Sequence, residues 1–319
     1  MHSHAHGHSH GHHGGTGGRL QWSLVATWVF AAVEVVAGLR AHSLALLSDA
    51  GHNFTDALAL LLAWIAYILQ TRPANKVKTY GYQRAGVLAA FVNALILVAL
   101  SAWIFYESAM RLKTPQNVGE ATMIAVASIG VLLNGAVMLA LRAASRDDLN
   151  VRSAFVHMLG DALGSAAIVL GGVVIYYTGW GRVDPLLSIL IGVLIVWSAW
   201  DIIRESLNIL LEGLPRGIRL NDVEAGMRLV EGVLDVHDLH IWSLGSSSHA
   251  LSCHVRIADV PPSASEAILR AINAVLADQF HIAHTTVQFE HVGCAISENG
   301  CCPIPTPEPA HGHEHRHHH

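Results

Sequence analysis

Long apolar runs dominate the first two-thirds of the chain. Six stretches of mainly apolar residues are separated by short polar segments, and each is at least as long as the roughly 20 residues that a helix needs to cross a bilayer. They span residues 20–39, 44–69, 85–110, 121–141, 154–178 and 185–211. The pattern therefore predicts an α-helical membrane protein with six transmembrane helices embedded in a lipid bilayer.

The composition of the chain favours a membrane protein over a soluble one. Of 319 residues, 52% are hydrophobic and 13% are charged, whereas about 25% of the residues in soluble domains are charged. The formal net charge of -5 counts all 23 histidines as neutral, so it changes with modest acidification. No basic face is apparent in the sequence, and we therefore expect no nucleic-acid partner.

Basic residues are concentrated in two of the loops that join the apolar runs. The loops after the second and fourth runs contain Arg72, Lys76, Lys78, Arg84, Arg142, Arg146 and Arg152. Basic loops tend to stay in the cytoplasm, and an even number of spans places both tails on the same side. We expect a multi-pass protein of the plasma membrane, in a bacterium the inner membrane, with cytoplasmic N- and C-termini.

The chain becomes polar after residue 211, which predicts a separate C-terminal cytoplasmic domain. Its pattern predicts a helix over residues 223–230 with Asn221 as N-cap, strands over 233–244 and 250–257, a helix from Pro261 to Phe280, and a strand over 285–292. This α-β-β-α-β order is typical of a small α+β domain. The predicted organisation is a disordered His-rich tail (1–18), the membrane domain (19–211), the cytoplasmic domain (212–293) and a disordered Cys/His-rich tail (294–319).

Two pairs of polar residues interrupt the second and fifth apolar runs. His52 and Asp56 are four residues apart, as are His157 and Asp161, so each pair lies on one face of its helix. Ionisable residues in a membrane helix are costly and normally face a bundle interior or a cavity. Two imidazoles and two carboxylates suit tetrahedral zinc and neutralise its charge. Interhelical hydrogen bonding is the simpler alternative, but it predicts no shared spacing.

Other polar residues within the apolar runs have no assigned ligand role. Asp49 precedes His52 by three residues and could orient the second ring nitrogen of this histidine, although a packing role is equally consistent with the sequence. Glu34, Asn93 and Asn134 are explained equally well by hydrogen bonds between helices.

The strands of the cytoplasmic domain carry further candidate ligands. Cys253 shares the alternation of the apolar positions in its strand and is predicted to lie in the core, whereas His254 lies on the polar face. Side chains from neighbouring strands can converge, although solvated surface histidines are the alternative for any one residue. The candidates near these strands are His237, His240, His254, His284 and Glu290.

Five motifs give the chain a resemblance to a known family. They are SLALLSDAGHNFTD (43–56), YGYQR (80–84), FVHMLGD (155–161), DP (184–185) and HDLHIW (237–242). Together they resemble the cation diffusion facilitator family over nearly the whole chain. The resemblance implies zinc export against protons through two His and two Asp in the membrane. It also implies a homodimer with a metallochaperone-like cytoplasmic domain.

The resemblance also implies ligands outside the membrane. It suggests a cytoplasmic zinc site at His237, His254, His284 and Glu290. Three cysteines, Cys294, Cys301 and Cys302, are similar to C-terminal metal-binding cysteines of the family, although their spacing is not Cys-x2-Cys. Thirteen histidines lie in the two tails, where His-rich tracts indicate weak metal capture.

The expected function is secondary active export of zinc, and of other divalent cations such as cobalt or cadmium, in exchange for protons. The ligands must lose protons before they bind metal, so metal and protons compete for one site. A membrane metalloenzyme and a membrane metal sensor are the alternatives. Four full ligands leave no open coordination position for catalysis, and a sensor has no need for duplicated ligands inside the membrane, so we expect no enzyme activity.

Overall fold

The computed structural model describes residues 16–142, 149–246 and 248–291. The chain divides into two compact units between Leu207 and Asn208. The first unit is helical, and the second combines helices with one sheet.

The first unit contains six long helices in the places that the apolar runs predict. They are α1 (Thr16–Ala41), α2 (Leu44–Gln70), α3 (Ala85–Lys113), α4 (Glu120–Leu141), α5 (Leu149–Thr178) and α6 (Val183–Leu210). Five of them, α2 to α6, are long and apolar enough to cross a membrane. The fold class is confirmed as a helical membrane domain with a further α+β domain, and a sixth span through α1 stays a prediction.

The beginning of α2 is fixed to the beginning of α6 by one buried carboxylate. Asp184 accepts hydrogen bonds from the Ser43 hydroxyl (2.6 Å) and from the backbone N–H groups of Leu44 (2.8 Å) and Ala45 (3.1 Å). These N–H groups have no partner within the helix, and a negative charge is favourable at a helix N-terminus. Asp184 is therefore part of the cap of α2 although it lies on another helix.

Small residues let α4 and α5 pack closely. A Cβ atom at Gly172 of α5 would lie 2.7 Å from Cγ1 of Ile124 on α4. Met123 and Ala127 of α4 pack with Ile168 of α5 in a buried apolar cluster. This packing fixes the part of α5 that follows the predicted ligands.

The second unit has the α-β-β-α-β order that the sequence predicts. Its elements are α7 (Leu220–Arg228), β1 (Val233–Ser243), β2 (His249–Ile257), α8 (Pro262–Phe280) and β3 (Ile282–Glu290). The prediction of Asn221 as N-cap was wrong, because α7 begins at Leu220 and Arg219 occupies the cap position, two residues before Asn221. The last strand also begins earlier than predicted, directly after His281, which ends α8 in a left-handed conformation.

The sheet has the order β1-β2-β3, with β1 antiparallel and β3 parallel to β2. One face of β2 packs on the helices through Leu251, Cys253 and Val255, which are all buried. His254 lies on the opposite face, where it pairs with His237 of β1 and with Gln288 of β3. The predicted core position of Cys253 is confirmed.

Candidate metal centres

The four residues of the two His-x3-Asp pairs lie together between α2 and α5. Nε2 of His157 is 3.0 Å from Oδ2 of Asp56 and 3.6 Å from Oδ2 of Asp161. Nε2 of His52 is 3.7 Å from Oδ2 of Asp56 and 3.5 Å from Oδ1 of Asp161. Each imidazole thus faces the carboxylate of its own helix and that of the other helix. We call this group the membrane cluster.

The spacing of these atoms matches a tetrahedral metal site. Zinc binds imidazole nitrogen and carboxylate oxygen at about 2.0–2.1 Å, which puts neighbouring donor atoms of a tetrahedron about 3.3 Å apart. The four nitrogen–oxygen distances, from 3.0 to 3.7 Å, lie around this value. Donor atoms of His52, His157 and Asp161 all lie within 4.8 Å of one another. A dication could therefore be held with small adjustments of the side chains.

Exposure differs strongly across the membrane cluster. The side chain of Asp161 is 7% exposed, whereas that of His157 is 46% exposed. His52 and Asp56 are intermediate. The His157 side is therefore the more exposed side of the cluster in this chain.

Asp49 does not orient His52 as the sequence suggested. Its carboxylate accepts a hydrogen bond from the Ser165 hydroxyl of α5 at 3.0 Å. Nδ1 of His52 is buried and has no hydrogen-bond partner among the described residues. Asp49 therefore joins α2 to α5 beside the membrane cluster. Sequence reasoning missed Ser165, although it follows Asp161 by four residues and so lies on the same face of α5.

Other polar residues of the helices lie outside the membrane cluster. Glu34 of α1 is fully buried and accepts a hydrogen bond from Nδ2 of Asn53 at 2.7 Å. Asn93 and Asn134 each have a buried side-chain atom without a hydrogen-bond partner in the described ranges. None of them belongs to a group of described ligands that lie close enough to share a metal ion.

A second cluster lies on the polar face of the cytoplasmic sheet. Nε2 of His237 is 3.2 Å from Oε2 of Glu290, and Nδ1 of His254 is 2.9 Å from Oε1 of Glu290. The three residues come from three adjacent strands, and their donor atoms lie within 4.8 Å of one another. We call His237, His254 and Glu290 the sheet cluster.

The atoms of the sheet cluster are close together but poorly aligned for hydrogen bonds. Both ring nitrogens of His237, Nδ1 of His254 and Oε2 of Glu290 are buried without a hydrogen-bond partner in the part of the chain described. Buried polar atoms normally have partners. Their spacing of 2.9 and 3.2 Å is near the donor spacing of a tetrahedral metal site, about 3.3 Å. A metal ion between the three side chains would satisfy several of these atoms at once.

The structure does not bring His284 to the sheet cluster. His284 lies opposite Ala250, four residues from Gln288, which pairs with His254. At about 3.3 Å per residue, that is roughly 13 Å along the strand. The expected set of four cytoplasmic ligands is thus reduced to three within one chain.

Two aspartates beside the sheet cluster were missed by sequence reasoning. Oδ2 of Asp235 is 3.6 Å from Nδ1 of His237, and Oδ2 of Asp238 is 3.9 Å from Nε2 of His254. The register of β1 shifts between His237 and His240, and Asp238 has a positive φ of 51°. The alternation of apolar and polar residues in the strand gives no signal of such an irregularity. In the structure, Oδ1 of Asp238 lies 3.0 Å from Nε2 of His240.

The cysteines separate into two groups. Burial and, to a smaller extent, the nearby negative charge of Asp238 together raise the pKa of the Cys253 thiol to about 12, so this thiol is not a ready metal ligand. Cys294, Cys301, Cys302 and the tail histidines lie outside the described residues.

Comparison with known proteins places these clusters in a family context. A model of the cation efflux transmembrane domain matches residues 20–211, and a model of the cation efflux protein cytoplasmic domain matches residues 215–292. Both clusters lie within the matched ranges.

Several curated proteins are similar over most of their length. The metal cation efflux system protein CzcD of Cupriavidus metallidurans is 40% identical over 88% of this chain and 89% of its own. A cadmium, cobalt and zinc/H(+)-K(+) antiporter of Bacillus subtilis is 38% identical over 81% of this chain and 84% of its own. The zinc transporter ZitB of Escherichia coli is 38% identical over 92% of this chain and 93% of its own.

Proposed function

This chain belongs to the cation efflux family, and from that membership and the membrane cluster we propose that it exports zinc from the cytoplasm in exchange for protons. Membership of the family indicates that the chain exports divalent metal cations. It also indicates that the chain is a multi-pass membrane transporter rather than an enzyme. Zinc as the main substrate and protons as the exchanged ion are the proposed parts.

The proposal of zinc rests on one observation above all. Two imidazoles and two carboxylates lie at nitrogen–oxygen distances of 3.0 to 3.7 Å inside the helical domain. Two neutral histidines and two ionised aspartates give a loaded site without net charge, which lowers the cost of placing a dication in the membrane. The relatives include proteins named for zinc, cobalt and cadmium, and the same ligand types bind those metals.

The proposal of proton exchange follows from the same contacts. Without metal, each imidazole of the membrane cluster lies beside carboxylates that would pair with it in its protonated form. Metal binding requires the neutral imidazole, so metal and protons exclude each other at these atoms. Two protons returning for each zinc would keep the site uncharged in both directions. The Bacillus subtilis relative is named for exchange with protons and potassium.

We further propose that the sheet cluster binds a metal ion and that this ion is zinc. His284, Cys294, Cys301 and Cys302 would then serve as additional metal-binding residues outside this cluster. The matched cytoplasmic domain supports a homodimer. The proposed placement is the plasma membrane, the bacterial inner membrane, with both termini in the cytoplasm, and the proposed domains span 1–18, 19–211, 212–293 and 294–319.

The purified chain in liposomes with a zinc-sensitive dye in the lumen tests the exchange. Liposomes with an acidic lumen should take up zinc faster than liposomes without a pH gradient, and lumenal protons should leave as zinc enters. Protein-free liposomes are the control for leakage. Zinc uptake that ignores the pH gradient and moves no protons would remove the exchange step and leave metal transport alone.

A further inference from the structure

Two buried carboxyl groups beside the membrane cluster belong to none of its contacts. Glu34 of α1 is 0% exposed and Asp49 of α2 is 4% exposed. Each is bonded to a neutral group, because Asn53 donates to Oε2 of Glu34 at 2.7 Å and Ser165 donates to Oδ2 of Asp49 at 3.0 Å. The two carboxyl groups also interact with each other. We call Glu34 and Asp49 the carboxyl pair.

Among the residues that the structure describes, the main electrostatic neighbours of the carboxyl pair include no Lys or Arg to balance two negative charges. The charged or titratable neighbours that act on it are Asp161 and His52, which both belong to the membrane cluster, and Asp161 is itself an acid. Helix α4 packs on α1 and α5, and it presents Gly130 toward Ser165. The one titratable residue of α4, Glu120, is at the first position of the helix.

Two ionised carboxylates side by side in this environment would be very unfavourable. Burying a single unpaired charge costs several kcal/mol, and two like charges in contact disfavour double ionisation further. Oε1 of Glu34 is buried and has no hydrogen-bond partner within the described ranges. A proton on this oxygen, or shared with Asp49, supplies both the missing charge balance and the missing hydrogen bond.

We propose that Glu34 and Asp49 hold a proton between them, as a proton site separate from the metal ligands. This inference rests on the proposed proton exchange for its role in transport. Asp49 precedes His52 by three residues, and Ser165 follows Asp161 by four. His52 and Asp161 also act electrostatically on the carboxyl pair, so a dication bound to these two ligands would act on it as well. One of the two protons exchanged for each zinc leaves the pair as the metal binds, because the charge of the nearby dication then offsets the second carboxylate, and the return of this proton favours release of the metal.

Infrared spectroscopy of the full chain at neutral pH without metal tests the pair directly. The C=O stretching band of a protonated carboxylic acid should be present in the wild type and should weaken when zinc is added. Glu34→Gln and Asp49→Asn keep the side-chain shape and still accept the hydrogen bonds from Asn53 and Ser165. Each single variant should shift or remove the band, and the double variant should lack it.

Glu107→Gln provides a matched control. It makes the same chemical change on a membrane helix, but Glu107 is paired with Arg111 at 3.1 Å and lies outside both clusters. This variant should keep the zinc-sensitive band. A band that persists unchanged in the folded double variant, as judged by a monodisperse elution profile, would overturn the proposal.

Proton release on zinc binding tests the coupling in weakly buffered detergent solution. The double variant should release about one proton fewer per bound metal than the wild type. Equal release from both proteins would contradict the coupling. If the band responds to zinc but liposome transport ignores the pH gradient, the carboxyl pair stands and the proposed exchange fails. If the wild type has no such band, the pair fails whatever the transport assay shows.

Discussion

The membrane cluster and the sheet cluster use the same kinds of ligand on different supports. In the membrane cluster each helix supplies a His and an Asp one turn apart, and within the described ranges no backbone hydrogen bond joins α2 to α5. In the sheet cluster, three strands that are joined by backbone hydrogen bonds each supply one ligand. Relative movement of two helices can change the first geometry, whereas the hydrogen-bonded sheet holds the backbone positions of the three ligands in the second.

This difference suggests separate roles for the two clusters. A transport site must bind its ion and then release it, which requires two arrangements of the ligands. A site on a hydrogen-bonded sheet retains one arrangement and so favours retention of the ion. We therefore assign transport to the membrane cluster, and regulation or stabilisation to the sheet cluster.

Loss of a membrane ligand should have the largest effect. Removal of a residue that merely supports a ligand costs about 10- to 100-fold in metal affinity, and a ligand itself should cost more. His52→Ala and Asp161→Ala should therefore reduce zinc flux in liposomes by at least ~100-fold. Glu107→Gln serves as the control and should transport normally. Wild-type flux from a folded His52→Ala protein would refute the assignment.

Loss of a sheet ligand should have a smaller effect on transport. His254→Ala should reduce the number of metal ions bound per chain, measured by equilibrium dialysis and elemental analysis. Zinc flux should fall by less than ~10-fold, because the membrane ligands remain. His240→Ala makes the same change at a more exposed histidine beside the cluster. If His254→Ala lost as much zinc flux as His52→Ala, the assignment of separate roles to the two clusters would be contradicted.

Variants of His284 and Glu290 test whether the ligands implied by the family resemblance or those that the structure brings together bind the metal ion. Glu290 contacts both histidines of the sheet cluster, whereas His284 lies roughly 13 Å along the strand from the position opposite His254. Glu290→Ala should weaken zinc binding to the sheet cluster by about 10-fold or more, and His284→Ala should leave it unchanged. Isothermal titration of both variants measures this. Equal losses would mean that His284 reaches the ion from another chain or another conformation.

The thiol of Cys253 should be unreactive although it adjoins the proposed ligand His254 in sequence. Its thiol faces the core while His254 faces the sheet cluster, and burial raises its pKa to about 12. At pH 8 only about one thiol in ten thousand would be ionised. With Cys294, Cys301 and Cys302 replaced by Ser, the folded chain should not react with an alkylating reagent until denaturant is added. Rapid labelling of the native chain would contradict the burial of this strand face.

The smallest expected effect concerns His249 at the start of β2. Burial lowers the pKa of this histidine, and the neighbouring His281 lowers it further. The resulting stability is present above the ordinary histidine pKa of about 6.5 and is lost as the pH falls through the lower folded value. His249→Gln should therefore reduce the acid sensitivity of hydrogen exchange in β2. An unchanged pH dependence would show that other groups control it.

The sequence predicted the elements well because each depends on local patterns. Six apolar runs coincide with six helices, and the alternation that buries Cys253 and places His254 on the other face is the pattern of a half-buried strand. The His-x3-Asp spacing also predicted which faces of α2 and α5 could meet. The sequence did not predict the N-terminus of α7, since Arg219 has no side-chain capping signal.

Contacts between elements were harder to predict from the sequence. The hydrogen bond from Asn53 to Glu34 and that from Ser165 to Asp49 depend on how neighbouring helices are rotated. The choice of Glu290 rather than His284 beside His254 depends on the register of a parallel strand pair, which one sequence does not reveal.

X-ray absorption at the zinc edge tests the central assignment most directly. The sample is the chain with both tails removed and with His237→Ala and His254→Ala, so that the membrane cluster is the remaining site. We expect one zinc per chain with four nitrogen or oxygen ligands at about 2.0–2.1 Å, two of them imidazoles, and loss of this signal in His157→Ala. A six-coordinate, water-rich spectrum, or one that His157→Ala leaves unchanged, would contradict it.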